Sequence, residues 1–169
     1  IKMDQKKFSI LISTKNRKSD LLITLNTIAP LLNEDVECVV FDDGSDDGTA
    51  ESVLLLFPQI IFWRNEISKG YLYCRNKMLN ETSADFAVSL DDDANFVTAD
   101  SLENIAAHFS SQPKCGLIAF RLLWQKDNPN EIKSNEIATR VKGFGGCGHV
   151  WRMEAWNDIP NYPEWFKFY

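Results

Sequence analysis

Four short apolar stretches stand in this chain's first ninety residues, and segments whose apolar side chains recur at helical spacing alternate with them. That alternation predicts an α/β domain: a parallel sheet whose strands are joined by right-handed helical crossovers. The strands are expected at 8–12, 36–41, 60–63 and 86–90. After the first, Ser19 or Asp20 can cap a helix with an apolar face of Leu21, Leu25, Ile28 and Leu32, and Pro30 marks its end. A short helix over 49–57 comes after the second, carrying Val53, Leu54 and Phe57, and Pro58 stops it. Lys69-Gly70 opens a third helix through Leu79. Beyond the fourth strand, Asp100 and Glu103 have the spacing of a capping box ahead of Leu102, Ile105, Ala106 and Phe109. A further strand is expected at 116–120, a polar loop from Lys126 to Glu136, and a strand over 137–142. A glycine-rich turn from Gly143 to Gly148, a short helix around 154–156 and an aromatic final stretch complete the chain.

The chemistry sits in the segments just past the strands. Thr14 ends the first, in Ser13-Thr14-Lys15-Asn16-Arg17; Asp42-Asp43-Gly44-Ser45 ends the second; Asp91-Asp92-Asp93 ends the fourth. Each has an ordinary reading as a helix entry, a turn or a solvated acidic bend. In a parallel sheet, however, they gather along one edge, where α/β folds bind ligands. Three adjacent carboxylates repel, and a divalent ion such as Mg²⁺, which takes oxygen ligands and bridges to phosphates, is their natural counter-charge. The segment from Asp43 to Gly48 half-matches a calcium loop, but Leu54 stands where the bidentate Glu belongs. Neither a GxxxxGK[ST] loop nor a GxGxxG after the first strand is present, so P-loop and dinucleotide-binding enzymes are excluded.

A net charge of −6 argues against a nucleic-acid partner. No apolar run approaches the ~20 residues of a membrane span, and the first seven residues lack a signal-peptide core. The length fits one domain. Cys38, Cys74, Cys115 and Cys147 are widely spaced and read as free thiols.

Together, residues 9–17, 40–49, Lys69-Gly70 with Arg75-Asn76, and Leu90-Asp91-Asp92-Asp93 resemble the family 2 glycosyltransferases of the GT-A fold. The match covers about residues 8 to 100. The resemblance implies a Rossmann-like, mixed and mainly parallel sheet flanked by helices, and inverting transfer from a nucleotide-diphosphate sugar, most simply a UDP-sugar, to a glycan or lipid-linked acceptor. It implies that the Thr14 region, with Asn16 and Arg17, and Asp42 or Asp43, beside Ser45, hold base and ribose. Lys69, Gly70 and Arg75 would lie beside the nucleotide. Asp91 to Asp93 would be the metal motif: Asp93 ligates Mn²⁺ or Mg²⁺, with Asp91 the second candidate, while Asp91 or Asp92 touches ribose or sugar. The catalytic base is expected beyond Tyr169, because Glu154, Asp158 and Glu164 do not sit in the family's pattern. The resemblance also points to a cytoplasmic protein, peripheral at the inner face of a membrane. Asn76 and His149 read as structural, and Trp151, Trp156, Tyr162, Trp165, Phe166 and Phe168 as mostly core. Two rivals stay open: a nucleotidyltransferase acting on a sugar phosphate, and a catalytically silent donor-binding module.

Overall fold

The computed structural model describes residues 6–124 and 138–166. Among these residues six strands form one sheet: β1 (Phe8–Thr14), β2 (Val36–Asp42), β3 (Ile61–Arg64), β4 (Phe86–Asp91), β5 (Leu117–Ala119) and β6 (Gly148–Arg152). Five α-helices among the described residues accompany them: α1 (Lys18–Ile28), α2 (Thr49–Leu56), α3 (Tyr71–Glu81), α4 (Ser101–Ser111) and α5 (Met153–Trp156). The sheet order is β3-β2-β1-β4-β6-β5. The first four strands are parallel, and β6 runs antiparallel between β4 and β5. This is the mixed, mainly parallel α/β sheet flanked by helices that the sequence predicts.

β1 is buried along nearly its whole length because both faces of the sheet are covered. Its side chains alternate between two cores. Ile10 and Ile12 pack with Leu21, Leu25, Ile28, Val53, Leu102, Ile105 and Phe109. Leu11 packs on the other face with Val39, Phe41, Cys74, Met78, Leu79, Met153 and Trp156. All four cysteines are free thiols. From β1 the chain winds outward through β2 and β3, then returns to place β4 on the other side of β1. Such a reversal opens a crevice at the strands' carboxyl ends. The register sets Asp42 beside Thr14 and Asp91 beside Ser13 at that end.

Several local expectations change. α1 starts at Lys18, with Arg17 rather than Ser19 or Asp20 as its cap residue, and no side chain of its own closes the first turn. Leu32 lies beyond both α1 and the 3-10 turn Ala29–Leu31 that contains Pro30. Leu54 is 59 % exposed, so the buried side of α2 is Val53, with Phe57 just after it. The Asp100–Glu103 box does not form: Asp100 has φ −89° and ψ 14°, not the extended backbone that turns a cap side chain onto the helix. Of the strand expected over 137–142, Ile137 is outside the described residues, and 138–142 are not strand. The polar loop expected from Lys126 to Glu136, and Phe168, also lie outside them. Among the described residues no helix is long and apolar enough to cross a membrane.

Candidate functional site

The end of β4 splits its three acids between two environments. Asp92 turns back into the protein, where one oxygen accepts the Thr14 hydroxyl at 2.7 Å and the other faces Arg17 Nε at 2.9 Å. Its side chain is only 9 % exposed. Burial pushes the Asp92 carboxyl above its ordinary range, against the pull of the Thr14 hydrogen bond and the Arg17 charge. Asp91 and Asp93 point outward instead, with side chains 43 % and 56 % exposed. Each faces a guanidinium: Arg75 lies 3.1 Å from Asp91, and Arg17 lies 2.7 Å from Asp93. Arg17 also reaches Asp20 at 3.0 Å. Arg75 is almost wholly buried beside the Tyr71 ring. A Cβ at Gly146 would stand 3.3 Å from its guanidinium, so the glycine-rich turn lets the backbone approach.

On the other side of β1, the second loop is braced by its own acids. Asp42 is fully buried and accepts hydrogen bonds from the Ser45 N–H and hydroxyl through one oxygen. Arg64 stands 3.5 Å from the other oxygen and donates to the Ser45 carbonyl at 2.7 Å. Asn16, in the left-handed region at φ 53°, ties the first loop to this one. Its N–H donates to Ser45 Oγ at 2.9 Å, and its side-chain oxygen accepts the Asp46 N–H at 2.8 Å.

Asp43 accepts four hydrogen bonds, from Asn65 Nδ2, Ser68 Oγ and the Lys69 and Gly70 N–H groups. Burial alone would raise its carboxyl, yet these donors hold it below the ordinary range. Asp43 thereby fixes the 65–70 loop at the start of α3. Gly70, at φ 99°, supplies a backbone that side-chain-bearing residues rarely adopt. The Lys69 ammonium rests over the Tyr73 ring at 4.6 Å and bonds its hydroxyl.

Every residue proposed for the site from sequence therefore belongs to the carboxyl end of the parallel strands or the loops leading from it, except Arg75, which α3 carries. Thr14, Arg17, Asp92 and Asp93 form one linked group, and Asn16, Ser45 and Asp42 form another. Asp43, Lys69 and Gly70 form a third, and Arg75 with Asp91 a fourth. Sequence reasoning passed over Arg64 and Asn65, and weighed Asp47 only within the rejected calcium loop. Asp47 bonds the first N–H of α1, from Lys18, as well as the Thr49 N–H and hydroxyl at the start of α2. One carboxylate thus caps two helices, a role signalled in the sequence only by its place before Gly48-Thr49.

The late segment is strapped to α3. Asn76, nearly fully buried, bonds both the N–H and the carbonyl of Tyr162, and donates to Glu164. The Tyr162 hydroxyl accepts from Trp151 and meets His149 Nε2 at 3.1 Å. His149 is fully buried, and burial followed by the Arg75 charge pushes it down to about 3, so its ring is neutral. Trp156 is core, while Trp165 is 80 % exposed. Glu154 and Asn157 line a cleft of about 430 Å³ at the opposite edge of the sheet, and Asp158 comes directly after.

Among the described residues no group of three or more His, Cys, Asp or Glu side chains converges on a point where a metal ion would be enclosed. The exposed oxygens of Asp91 and Asp93 suit a hard cation that takes most of its ligands from a diphosphate and water. The donor set fits a shared ion rather than a caged one.

Comparison with known proteins agrees on the family. The model described as Glycosyl transferase family 2 matches residues 9–164. An uncharacterized glycosyltransferase of Haemophilus influenzae is 24 % identical over 149 residues, 80 % of this chain and 50 % of the relative. The uncharacterized glycosyltransferase YfnE of Bacillus subtilis is 31 % identical over 126 residues, 71 % of this chain and 31 % of the relative. The chain thus spans from 31 % to 50 % of these relatives' lengths. Among solved structures, S. aureus TarS 1-349 superposes with a TM-score of 0.77 at 21 % identity, over 96 % of this chain and 52 % of its own. TarS has also been solved in complex with UDP-GlcNAc. The mannosyltransferase PcManGT of Pyrobaculum calidifontis, in complex with GDP-Man and Mn²⁺, superposes with a TM-score of 0.72 at 18 % identity, over 95 % and 48 %.

Proposed function

The chain belongs to glycosyl transferase family 2, and from that premise we propose that it transfers a sugar from a nucleotide-diphosphate donor, a UDP-sugar by preference, to a glycan or lipid-linked acceptor with inversion. The observation that carries this reading is the meeting of two acidic loops on either side of β1, at the switch point of the sheet. The nucleotide lies across that edge. Thr14, Asn16, Arg17 and the loop of Asp42, Asp43 and Ser45 flank the base and ribose. Lys69, Gly70 and Arg75 border the diphosphate side. Asp93, with Asp91 as second oxygen donor, holds Mn²⁺ or Mg²⁺.

A bound divalent ion supplies Lewis-acid stabilisation of the charge that develops on the leaving diphosphate. The residues of this chain do the positioning. Asp43 holds the 65–70 loop in one conformation, and Asn16 and Ser45 lock the two nucleotide-facing loops together, so little reorganisation accompanies binding. Arg75 keeps Asp91 oriented toward the edge. Deprotonation of the acceptor hydroxyl calls for a carboxylate opposite the leaving group. Glu154 and Asp158 belong to the far edge and Glu164 is bonded to Asn76, so that role falls to a different acid.

Calorimetric titration with UDP and GDP, with and without Mn²⁺, tests the proposal. Binding of at least one nucleotide that strengthens with Mn²⁺ and disappears in Asp93→Asn is the expected result. No metal-dependent binding to either nucleotide refutes it.

A further inference from the structure

Both outward acids at the end of β4 already face an arginine, but the two arginines differ. Arg75 is almost wholly buried, with its place set by Tyr71 and the Gly146 turn. Arg17 is 44 % exposed and spans three carboxylates, with Nε on Asp92 at 2.9 Å and Nη2 shared between Asp93 at 2.7 Å and Asp20 at 3.0 Å. We propose that Arg17 is a built-in counter-ion that occupies Asp93 until a divalent ion arrives together with a nucleoside diphosphate, so that metal loading depends on the nucleotide. This rests on the proposed donor site and adds an order of events to it.

The physical basis is the unequal burial of the partners. The Arg17–Asp92 contact is to a side chain 9 % exposed, in a region that water screens poorly, and it anchors the guanidinium. The Arg17–Asp93 contact is to a side chain 56 % exposed, and such solvent-screened pairs exchange at little cost. Asp20 gives the freed Nη2 a partner without moving the anchor, because it already lies within reach. Beside Asp93 the guanidinium offsets part of the attraction that the surrounding acids exert on a bare dication. The same ion bound to a diphosphate arrives with its charge compensated, and that penalty is lifted. The guanidinium presents separate nitrogens to Asp92 and Asp93, so one contact can be released while the other is kept.

The test compares wild type, Arg17→Met and Arg17→Lys as Mn²⁺ is titrated and monitored by electron paramagnetic resonance, first without nucleotide and then with UDP or GDP. Arg17→Met is expected to bind Mn²⁺ alone about five- to tenfold more tightly than wild type. With Mn²⁺ affinity in the presence of nucleotide left as in wild type, the enhancement of Mn²⁺ binding by nucleotide should shrink by the same factor, and linkage requires the enhancement of nucleotide binding by Mn²⁺ to shrink equally. Arg17→Lys, which keeps the charge, should stay closer to wild type. Arginine side-chain NMR on the wild-type protein needs no variant to fold. Mg²⁺ with UDP should move the Arg17 signals, and Mg²⁺ alone at the same concentration should leave them in place. The inference is overturned if Mg²⁺ alone moves them, or if Arg17→Met binds Mn²⁺ alone no more tightly while wild type still binds the metal with nucleotide. Absence of nucleotide binding by wild type under every metal condition would instead remove the proposed donor site itself.

Discussion

Replacing Asp43 by asparagine isolates the contribution of one carboxylate to the shape of the site. Its two oxygens accept four donors within 2.6–2.8 Å, two of them backbone N–H groups of the loop that enters α3. Hydrogen bonds to a charged group contribute about 1.5–3 kcal/mol each, and a buried donor left unpaired costs about 1–3 kcal/mol. Asparagine keeps one oxygen and its pair of donors. Its amide then faces the other pair; the Ser68 hydroxyl can rotate to accept, but a backbone N–H cannot. The net cost is expected at about 2–4 kcal/mol.

Urea denaturation at pH 7 measures it, as a shift in midpoint with unchanged slope. A second signature lies in the pH dependence. The Asp43 carboxyl is held below its unfolded value of ~3.9, so its stabilisation is complete above that pH and is lost as pH falls through the lower folded value. Asp43→Asn should therefore flatten the acid limb of the stability profile between pH 5 and pH 2. A loss under ~0.5 kcal/mol at pH 7, the range of an ordinary surface substitution, or an acid limb parallel to that of wild type, would refute the reasoning.

Three further outcomes are expected from the same structure. His149 is pushed down to about 3 by burial and then by Arg75, so its contribution is complete above its unfolded value of ~6.5 and is lost as pH falls toward 3. His149→Gln should therefore lose less stability than wild type between pH 7.5 and pH 4.5 in paired denaturation curves; equal losses would contradict a neutral buried ring. Asp47→Ala removes the capping carboxylate of α1 and α2 together and should cost about 2–3 kcal/mol, more than a single cap. A cost near that of one cap would mean that one of the two helix starts does not depend on it. Asn76→Ala cuts three hydrogen bonds to the segment around Tyr162 and should lower stability by about 2–3 kcal/mol. Limited proteolysis should then cleave near residues 158–164 well before the β1–β4 core, and unchanged cleavage order would count against the strap.

The amino-acid sequence by itself determined the strands β1 to β4, the helices between them and the residues at their carboxyl ends, because burial on both faces writes continuous apolar runs and turn chemistry marks where they stop. It also singled out Thr14, the acids of both loops, and Asn76 as a residue holding structure. Only the tertiary structure decided what each polar group is bonded to. The resemblance offers Asp42 or Asp43 as a nucleotide contact; in the fold the Asp43 oxygens accept from donors more than 20 residues away. The helix start at Lys18 is capped from Asp47, 29 positions on, rather than by a neighbour. β6 enters between β4 and β5, an arrangement that local patterning does not encode. The reason is common to all three: periodicity reports whether a position is wet or dry, whereas the partner of a buried polar atom is chosen by which distant segment the sheet order brings within 3 Å. Arg17 shows it most plainly, since its partners Asp92 and Asp93 lie about 75 residues further along and one strand away.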